Sequence, residues 1–338
     1  MDQRLPGGIV ATLDFLYSRS VNAVQIVAMN LRGPLGVSAG EGGRLLYGSI
    51  DPSNGVARPD RPSAALRGVY QLQNGSGDRS YSFTVQLSKL LLNGTGLSAA
   101  YTYTDAKDRM SMDANLADLN LGGTPVNGTL QQRELRTSLW ERPHKVTVVG
   151  TTNLPLGFRL GLTYIGTSGA PFTYVATGDP NADGFRPTFE VSNDVVYVPR
   201  SAEDITMADP ADWEGLDQYI RSEPCLQRQR SRLLERNSCR DPWVHETQAR
   251  LSKRFQIAGR RAFEITADLF NVLNFISGDW GLVRHTFGDV GNTVPLLDLL
   301  GYDVAKARGV YTFLQVKRSE IDLEASRWRL QLGASFSF

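Results

Sequence analysis

The sequence predicts an all-β fold, an antiparallel transmembrane β-barrel wall with its long loops gathered at one end. Three observations carry that prediction. Apolar and polar residues alternate with a period of two in segment after segment. The alternating segments come in pairs joined by tight, glycine-containing turns, and the connections between pairs are long and polar. A soluble sandwich has no reason to segregate its connections by length.

The alternation is clearest at the C-terminus. There Trp328, Leu330, Leu332, Ala334, Phe336 and Phe338 interleave with Arg329, Gln331, Gly333, Ser335 and Ser337. Tyr81, Phe83, Val85 and Leu87 alternate with Ser82, Thr84, Gln86 and Ser88, and Leu97, Ala99, Tyr101 and Tyr103 follow the same rule. So do Phe158, Leu160, Leu162 and Tyr164, then Ala249, Leu251 and Phe255 with Lys253 out of pattern, then Phe263, Ile265, Ala267 and Leu269. Tight turns are expected at residues 93–96, 154–157 and 258–260, and long loops at roughly 105–139, 167–245 and 274–327. The count is eight strands if residues 8–30 and 64–91 each form one long bulged strand, and ten if each is broken in two. Periodicity leaves open which face is inside. Phe158, Phe255 and Phe263 beside the short turns suit an interfacial girdle, and Lys253 and Arg67 are departures tolerable near an interface and costly at the midplane.

Bulk properties exclude other classes. Lys+Arg 36 against Asp+Glu 35 leaves no basic surface for nucleic acid. No run of about 18 apolar residues is present to span a bilayer as a helix. The opening MDQRLPGGIVATLDF has only a short apolar stretch broken by Pro6, Gly7 and Gly8, with no cleavage site, so an exported product is expected to begin upstream of Met1. No G-x-S-x-G, H-E-x-x-H, P-loop or dinucleotide fingerprint occurs, and His144, His245 and His285 lie far apart. No enzyme is expected.

Two local features invite chemistry. Asp179, Asn181, Asp183, Gly184 and Glu190 fit the calcium-loop pattern D-x-[DN]-x-[DN]-G-x5-E, with Phe185 supplying a carbonyl. The flanks are strand and loop rather than helices, Pro180 and Pro187 stiffen the segment, and Asp, Asn and Gly also gather simply because they make turns. A bound Ca2+ would be structural, ordering a long loop. Cys225 and Cys239 share one Arg-rich segment, which allows a disulfide closing a short surface loop in an oxidising compartment; two free thiols are the other reading. Arg228, Arg230, Arg232 and Arg236 in that segment could pair with loop carboxylates or grip an anion, against the plainer account of solvated charge.

Several stretches resemble a known family. The ending RLQLGASFSF, with Trp328 before it and Phe336 and Phe338 within it, resembles the signal that the barrel assembly machinery recognises in outer-membrane barrels. FEITADLFNVLNF, residues 263–275, resembles a late strand of TonB-dependent receptors, with Phe270, Asn271 and Asn274 in an F-N-x-x-N motif. CLQRQRSRLLERNSCRDPW, residues 225–243, is similar to a loop of the Oar-like group of those receptors, as are the hairpins starting at RPHKV and LPGGIV. The resemblance implies a chain set in the lipid of a Gram-negative outer membrane, coupled to TonB and moving a large, unidentified substrate. Residues 1–338 would then be the C-terminal eight to ten strands of a larger barrel, the plug domain and signal peptide lying outside them. The alternative is a self-contained small barrel acting as adhesin or surface anchor.

Overall fold

The computed structural model describes residues 1–91, 94–185, 192–259, 261–286, 292–316 and 320–338. Its largest element is one antiparallel sheet whose strands follow chain order. We number the path β1 (Asp2–Leu5), β2 (Ile9–Arg19), β3 (Arg79–Leu90), β4 (Gly96–Asp108), β5 (His144–Asn153), β6 (Phe158–Thr167), β7 (Val244–Ala258), β8 (Arg261–Phe270) and β9 (Arg329–Ser337). The two-residue strand Arg136–Thr137 adds to the far end of β4. Among the described residues no helix is long and apolar enough to cross a membrane.

The predicted hairpins pair, β3 with β4, β5 with β6 and β7 with β8; Asn93 and Arg260, in two of the predicted turns, lie outside the described residues, and the turns at 5–8 and 154–157 share a sequence device. Leu5-Pro6-Gly7-Gly8 and Leu154-Pro155-Leu156-Gly157 each enclose a 3-10 turn with left-handed residues, Gly7 at φ 76° and Gly157 at φ 76°. Proline presets the first turn residue, and glycine accepts the positive φ that a side chain resists. The long segments 8–30 and 64–91 each break in two. Beyond β2 and β3 the chain continues as Ala23–Ala28 and Tyr70–Gly75, which pair with each other outside the wall. The wall therefore has eight long strands and a short β1 at one edge, with a two-stranded ribbon rising from β2 and β3.

Register shows which residues share a face, because opposed residues in an antiparallel pair point the same way. One row runs Lys89, Leu97, Gly150, Leu162, Ala249, Leu269 and Leu330 across β3 to β9. A parallel row runs Ala11, Leu87, Ala99, Val148, Tyr164 and Thr247. Rows one residue away are polar, as in Thr151, Gly161, Arg250, Asp268 and Gln331. On that polar face Thr84 and Thr102 hydroxyls lie 2.8 Å apart, and Arg250 lies 3.6 Å from Asp268. Apolar side chains on the first face stay uncovered, Leu332 at 74% and Phe15 at 69% exposed. A sheet this apolar on one side and polar on the other suits lipid outside and a wet lumen inside.

Two aromatic belts bound the apolar face. Toward the long loops, Tyr81, Tyr103, His144, Trp243, His245 and Tyr164 form a chain of rings with neighbouring centroids 5.6–6.3 Å apart. Toward the short turns, Phe255 and Phe263 lie 6.4 Å apart, Phe336 pairs with Phe263 in register, and the Lys253 ammonium sits 4.6 Å from the Phe158 ring and 5.0 Å from that of Phe255. The charge of Lys253 is thus held at the turn end by π faces rather than at the midplane. His245 and Phe255 are ten residues apart on β7. At about 3.3 Å per residue and a tilt near 40°, their belts are about 25 Å apart along the membrane normal, the height of the apolar band of such barrels.

These faces make a measurable difference. Leu251→Arg, midway between the belts, should cost about 2–4 kcal/mol in urea unfolding from lipid vesicles, whereas Ser252→Arg, one residue along and on the lumen face, should cost far less. Equal losses would show that the faces have been assigned wrongly.

Candidate functional site, a cap folded from the long loops

The long connections, predicted as polar loops, fold together instead. Their centre is a five-stranded sheet ordered Thr206–Met207, Arg308–Phe313, Thr293–Asp303, Pro171–Thr177 and Cys239–Arg240. Two of its pairings are parallel, Thr293–Asp303 with Pro171–Thr177 and Thr206–Met207 with Arg308–Phe313, and both join the connection 168–243 to the connection 271–328. Pro171–Thr177 is buried at every residue. Phe172, Tyr174, Val196, Leu216, Leu234 and Leu296 lie at the centre of an apolar core that includes no wall strand. A smaller cluster of Ile26, Leu31, Tyr47, Met110, Leu121 and Leu130 ties together the connections 20–78 and 109–143.

Physically this follows from continuous apolar runs. PFTYVA, VVYV and TVPLLDLL have no period-two alternation, the pattern of strands covered on both faces. The amphipathic helix Asp212–Ser222 packs Leu216 and Ile220 on that core.

The cap is fixed to the wall by arginine. Arg236 is 2% exposed and donates to Asp108 at the end of β4, 2.5 Å to the backbone oxygen and 2.7 Å to Oδ1. Asn237, left-handed at φ 57°, donates to the Thr137 carbonyl at 2.8 Å and accepts from Thr173 Oγ1. Arg240 pairs with Glu141, and Arg230 reaches Asp217 at 2.6 Å. Arg228 and Arg232 are exposed. The Arg-Asn-Ser motif is therefore a joint between cap and wall. The F-N-x-x-N motif acts similarly: Asn271, at φ 52°, donates to Gly281 and Ser326 carbonyls, and Asn274 donates to Gly278 and Trp280 carbonyls.

A cavity of about 460 Å³ opens in the cap, lined in part by Arg44, Glu134, Arg136, Asn181, Asn193 and Asp194. Behind it lies a buried ionic network. Arg44 donates to Glu41 at 2.7 Å and to Asp194 at 3.3 Å, and Tyr311 donates to Glu41 at 2.9 Å. Burial opposes the Arg44 charge, but Glu41, Tyr311 and Asp194 outweigh it and hold its pKa above the ordinary value. Burial raises Asp194 well above the usual carboxylate range despite the Arg44 charge. Arg133 is pushed down to about 9 by burial, with Arg236 adding to the effect, so its guanidinium stays charged at neutral pH.

The residues singled out in the sequence fall as follows. Asp179, Asn181 and Asp183 sit together, buried, at the edge of this network. Asp179 accepts from the backbone N–H of Asp183 and Gly184, and Asp183 from that of Phe185, each at 2.7–2.9 Å. Glu190 lies outside the described residues. Among the described residues no group of three or more His, Cys, Asp or Glu converges as a metal site. Cys225 and Cys239 are bonded, their Sγ atoms 2.03 Å apart, tying the start of the Arg-rich segment to the edge of the five-stranded sheet. Trp328 packs edge-on against Phe275 at 5.2 Å, and Phe338 stacks on Phe336 at 6.3 Å. His144 and His245 accept or share a hydrogen bond with Tyr101 and Tyr164 in the upper belt, and His285 lies in a two-residue strand paired with Glu320–Ile321. The sequence reading missed Glu41, Arg44, Arg133, Asn193 and Asp194. Nothing in their spacing links them; only tertiary packing does.

Residues 1–277 match the family model described as an outer membrane beta barrel domain. No curated protein matches. Among solved structures, the crystal structure of the outer membrane transporter YddB from Escherichia coli is similar at 10% identity and TM-score 0.43. The alignment covers 99% of this chain, which spans 31% of the length of YddB.

The buried network has a testable cost. Arg44→Met leaves Glu41 and Asp194 without their cation and should destabilise the cap by about 3–5 kcal/mol. Arg32→Met, which breaks the exposed pair with Asp60, should cost less than about 1 kcal/mol. Pulse proteolysis of the cap in detergent measures both, and comparable losses would contradict the network's role.

Proposed function

Since the chain belongs to the outer membrane beta-barrel domain family, we propose that it forms wall and extracellular cap of a TonB-dependent transporter of the Oar-like group. The single observation that carries this is the folded cap, with its polar cavity, set over a wall whose polar face is continuous from β2 to β9. A membrane anchor needs the wall alone. A receptor needs rigid groups held above the lumen, and here Arg44 and Asp194 at the cavity are fixed by burial. The motifs at 225–243 and 263–275 support the same family, since each joins a loop to the wall.

The substrate is captured in the cap and passes along the polar face, driven by energy from TonB acting on a plug in the whole protein. Among the described residues β1 and β9 pair on one side each, which suits a wall completed by further strands of a larger barrel. We propose no catalytic role for His144 and His245, whose rings hydrogen-bond Tyr101 and Tyr164. Phe336 and Phe338 at the free edge are the contact for the barrel assembly machinery during insertion.

Growth competition tests the coupling. Cells lacking this gene, lacking TonB, or lacking both are grown on a panel of scarce bulky nutrients. Loss of the gene should impair growth on a subset of the nutrients that require TonB, and the double loss should add nothing on that subset. A defect that adds to the TonB defect, or none on any nutrient, would sink the transport reading. Independently, Phe338→Ser should lower the amount of protein inserted in the outer membrane while leaving inserted molecules as resistant to urea as before; undiminished insertion would remove the terminal ring from assembly.

A further inference from the structure

Asp179 and Asp183 are 3% and 1% exposed, and neither makes an ion pair within 4 Å among the described residues. Two ionised carboxylates buried close together are costly unless a cation joins them. The basic groups around the cluster make no ion pair with either carboxylate, although Arg133 favours the charged form of Asp183 from a distance and the Arg61 guanidinium lies beside Gly184. Arg44 serves Glu41 and Asp194, and Arg133 donates to the Thr124 and Leu121 carbonyls.

A separate observation comes from the other side of the cluster. Asn193 is fully buried and reaches Asp183 with its side-chain amide, Nδ2 lying 2.8 Å from Oδ2. Its carbonyl oxygen Oδ1 has no hydrogen-bond partner. A buried acceptor left empty costs about 1–3 kcal/mol, so this oxygen calls for a partner, while the amide nitrogen also lies 3.5 Å from the Leu121 carbonyl. Asn181 donates to the same Asp183 oxygen at 3.0 Å. Two amides thus converge on one carboxylate oxygen. A half-turn of the Asn193 amide changes no shape and delivers its carbonyl oxygen to the same place.

We propose that Asp179, Asn181, Asp183 and Asn193 bind one divalent calcium ion in the cap, with the Phe185 carbonyl and water completing the shell. Calcium accepts six to eight oxygens of mixed kind, so two carboxylates with neutral oxygens suffice, whereas magnesium demands a stricter octahedron. Asn193 lies on the segment leading into the core strand residues 195–198, and Asp179 follows the end of Pro171–Thr177. The ion therefore staples two chain segments of the cap core beside the cavity. This inference does not depend on transport, since it concerns the cap's own folding.

The test is calorimetric titration of Ca2+ into the full chain in detergent micelles after stripping with a chelator. One ion per chain should bind, with affinity in the extracellular range of about 10⁻⁴–10⁻³ M, and Mg2+ should compete poorly. Asp183→Asn and Asp179→Asn keep the shape and should each weaken binding by about tenfold or more, while Asn193→Asp adds a charged ligand and should tighten it by about tenfold. The gain in Asn193→Asp separates a ligand from a merely structural residue, and protease resistance of the cap reports folding in every variant. No binding by the unaltered chain up to about 10 mM, above the range of extracellular modules, or affinity unmoved by all three substitutions, overturns the assignment.

Discussion

Hydrocarbon offers no hydrogen bond to a peptide group, and that constraint governs the wall. Every N–H and C=O between the two aromatic belts must be met by a neighbouring strand, and β3 to β8 each pair with a strand on both sides. Once pairing is obligatory, register is the remaining choice, and a slip of one residue would turn Leu97, Leu162 and Leu330 into the lumen and Arg250 and Asp268 into lipid. The alternation in the sequence makes that slip prohibitive. The belts then set the height, and Lys253, which alone breaks the pattern on its face of β7, lies where the belt can take its charge.

The cap obeys a different rule. It is built in water, with an apolar core of its own, and the strands at its centre are buried on both faces. Its attachment to the wall is polar and depends on few groups: Arg236 on Asp108, Asn237 on the Thr137 carbonyl, Arg240 on Glu141. Removing one partner of such a buried pair costs more than forming the pair gains, because the survivor is left as an unmet charge. The position of the cap relative to the wall is therefore set by these joints.

The wall was legible in the sequence because a half-buried strand writes its geometry residue by residue. Tyr81 to Leu87, Leu97 to Tyr103 and Leu330 to Phe338 each carry one strand's orientation without reference to any other part of the chain. Glycine and proline at 154–157 likewise mark a turn by local stereochemistry alone. The cap was not legible as a unit. Its apolar runs at 171–176, 195–198 and 293–300 stand in the sequence, but parallel pairing across some 120 residues leaves no local trace. Asp179, Asn181 and Asp183 were visible because a turn spaces them regularly; Asn193, Arg44 and Asp194 join them only through the fold. The Arg-rich segment read as surface charge, since sequence does not distinguish Arg236, which is buried, from Arg228 and Arg232, which are exposed.

The parallel pairing of Pro171–Thr177 with Thr293–Asp303 has a consequence for how such a surface can diversify. A loop that merely dangles from a barrel can be exchanged between relatives one at a time. Here residues 168–243 and 271–328 cover each other's hydrophobic side chains, and replacing either alone would expose Phe172, Tyr174 or Leu296 to water. Recombination within the gene must therefore carry both segments together, and selection by agents that recognise the cell surface falls on the cap as one inherited block. Single changes are cheapest where no other loop is touched, at exposed positions such as Arg228 and Arg232.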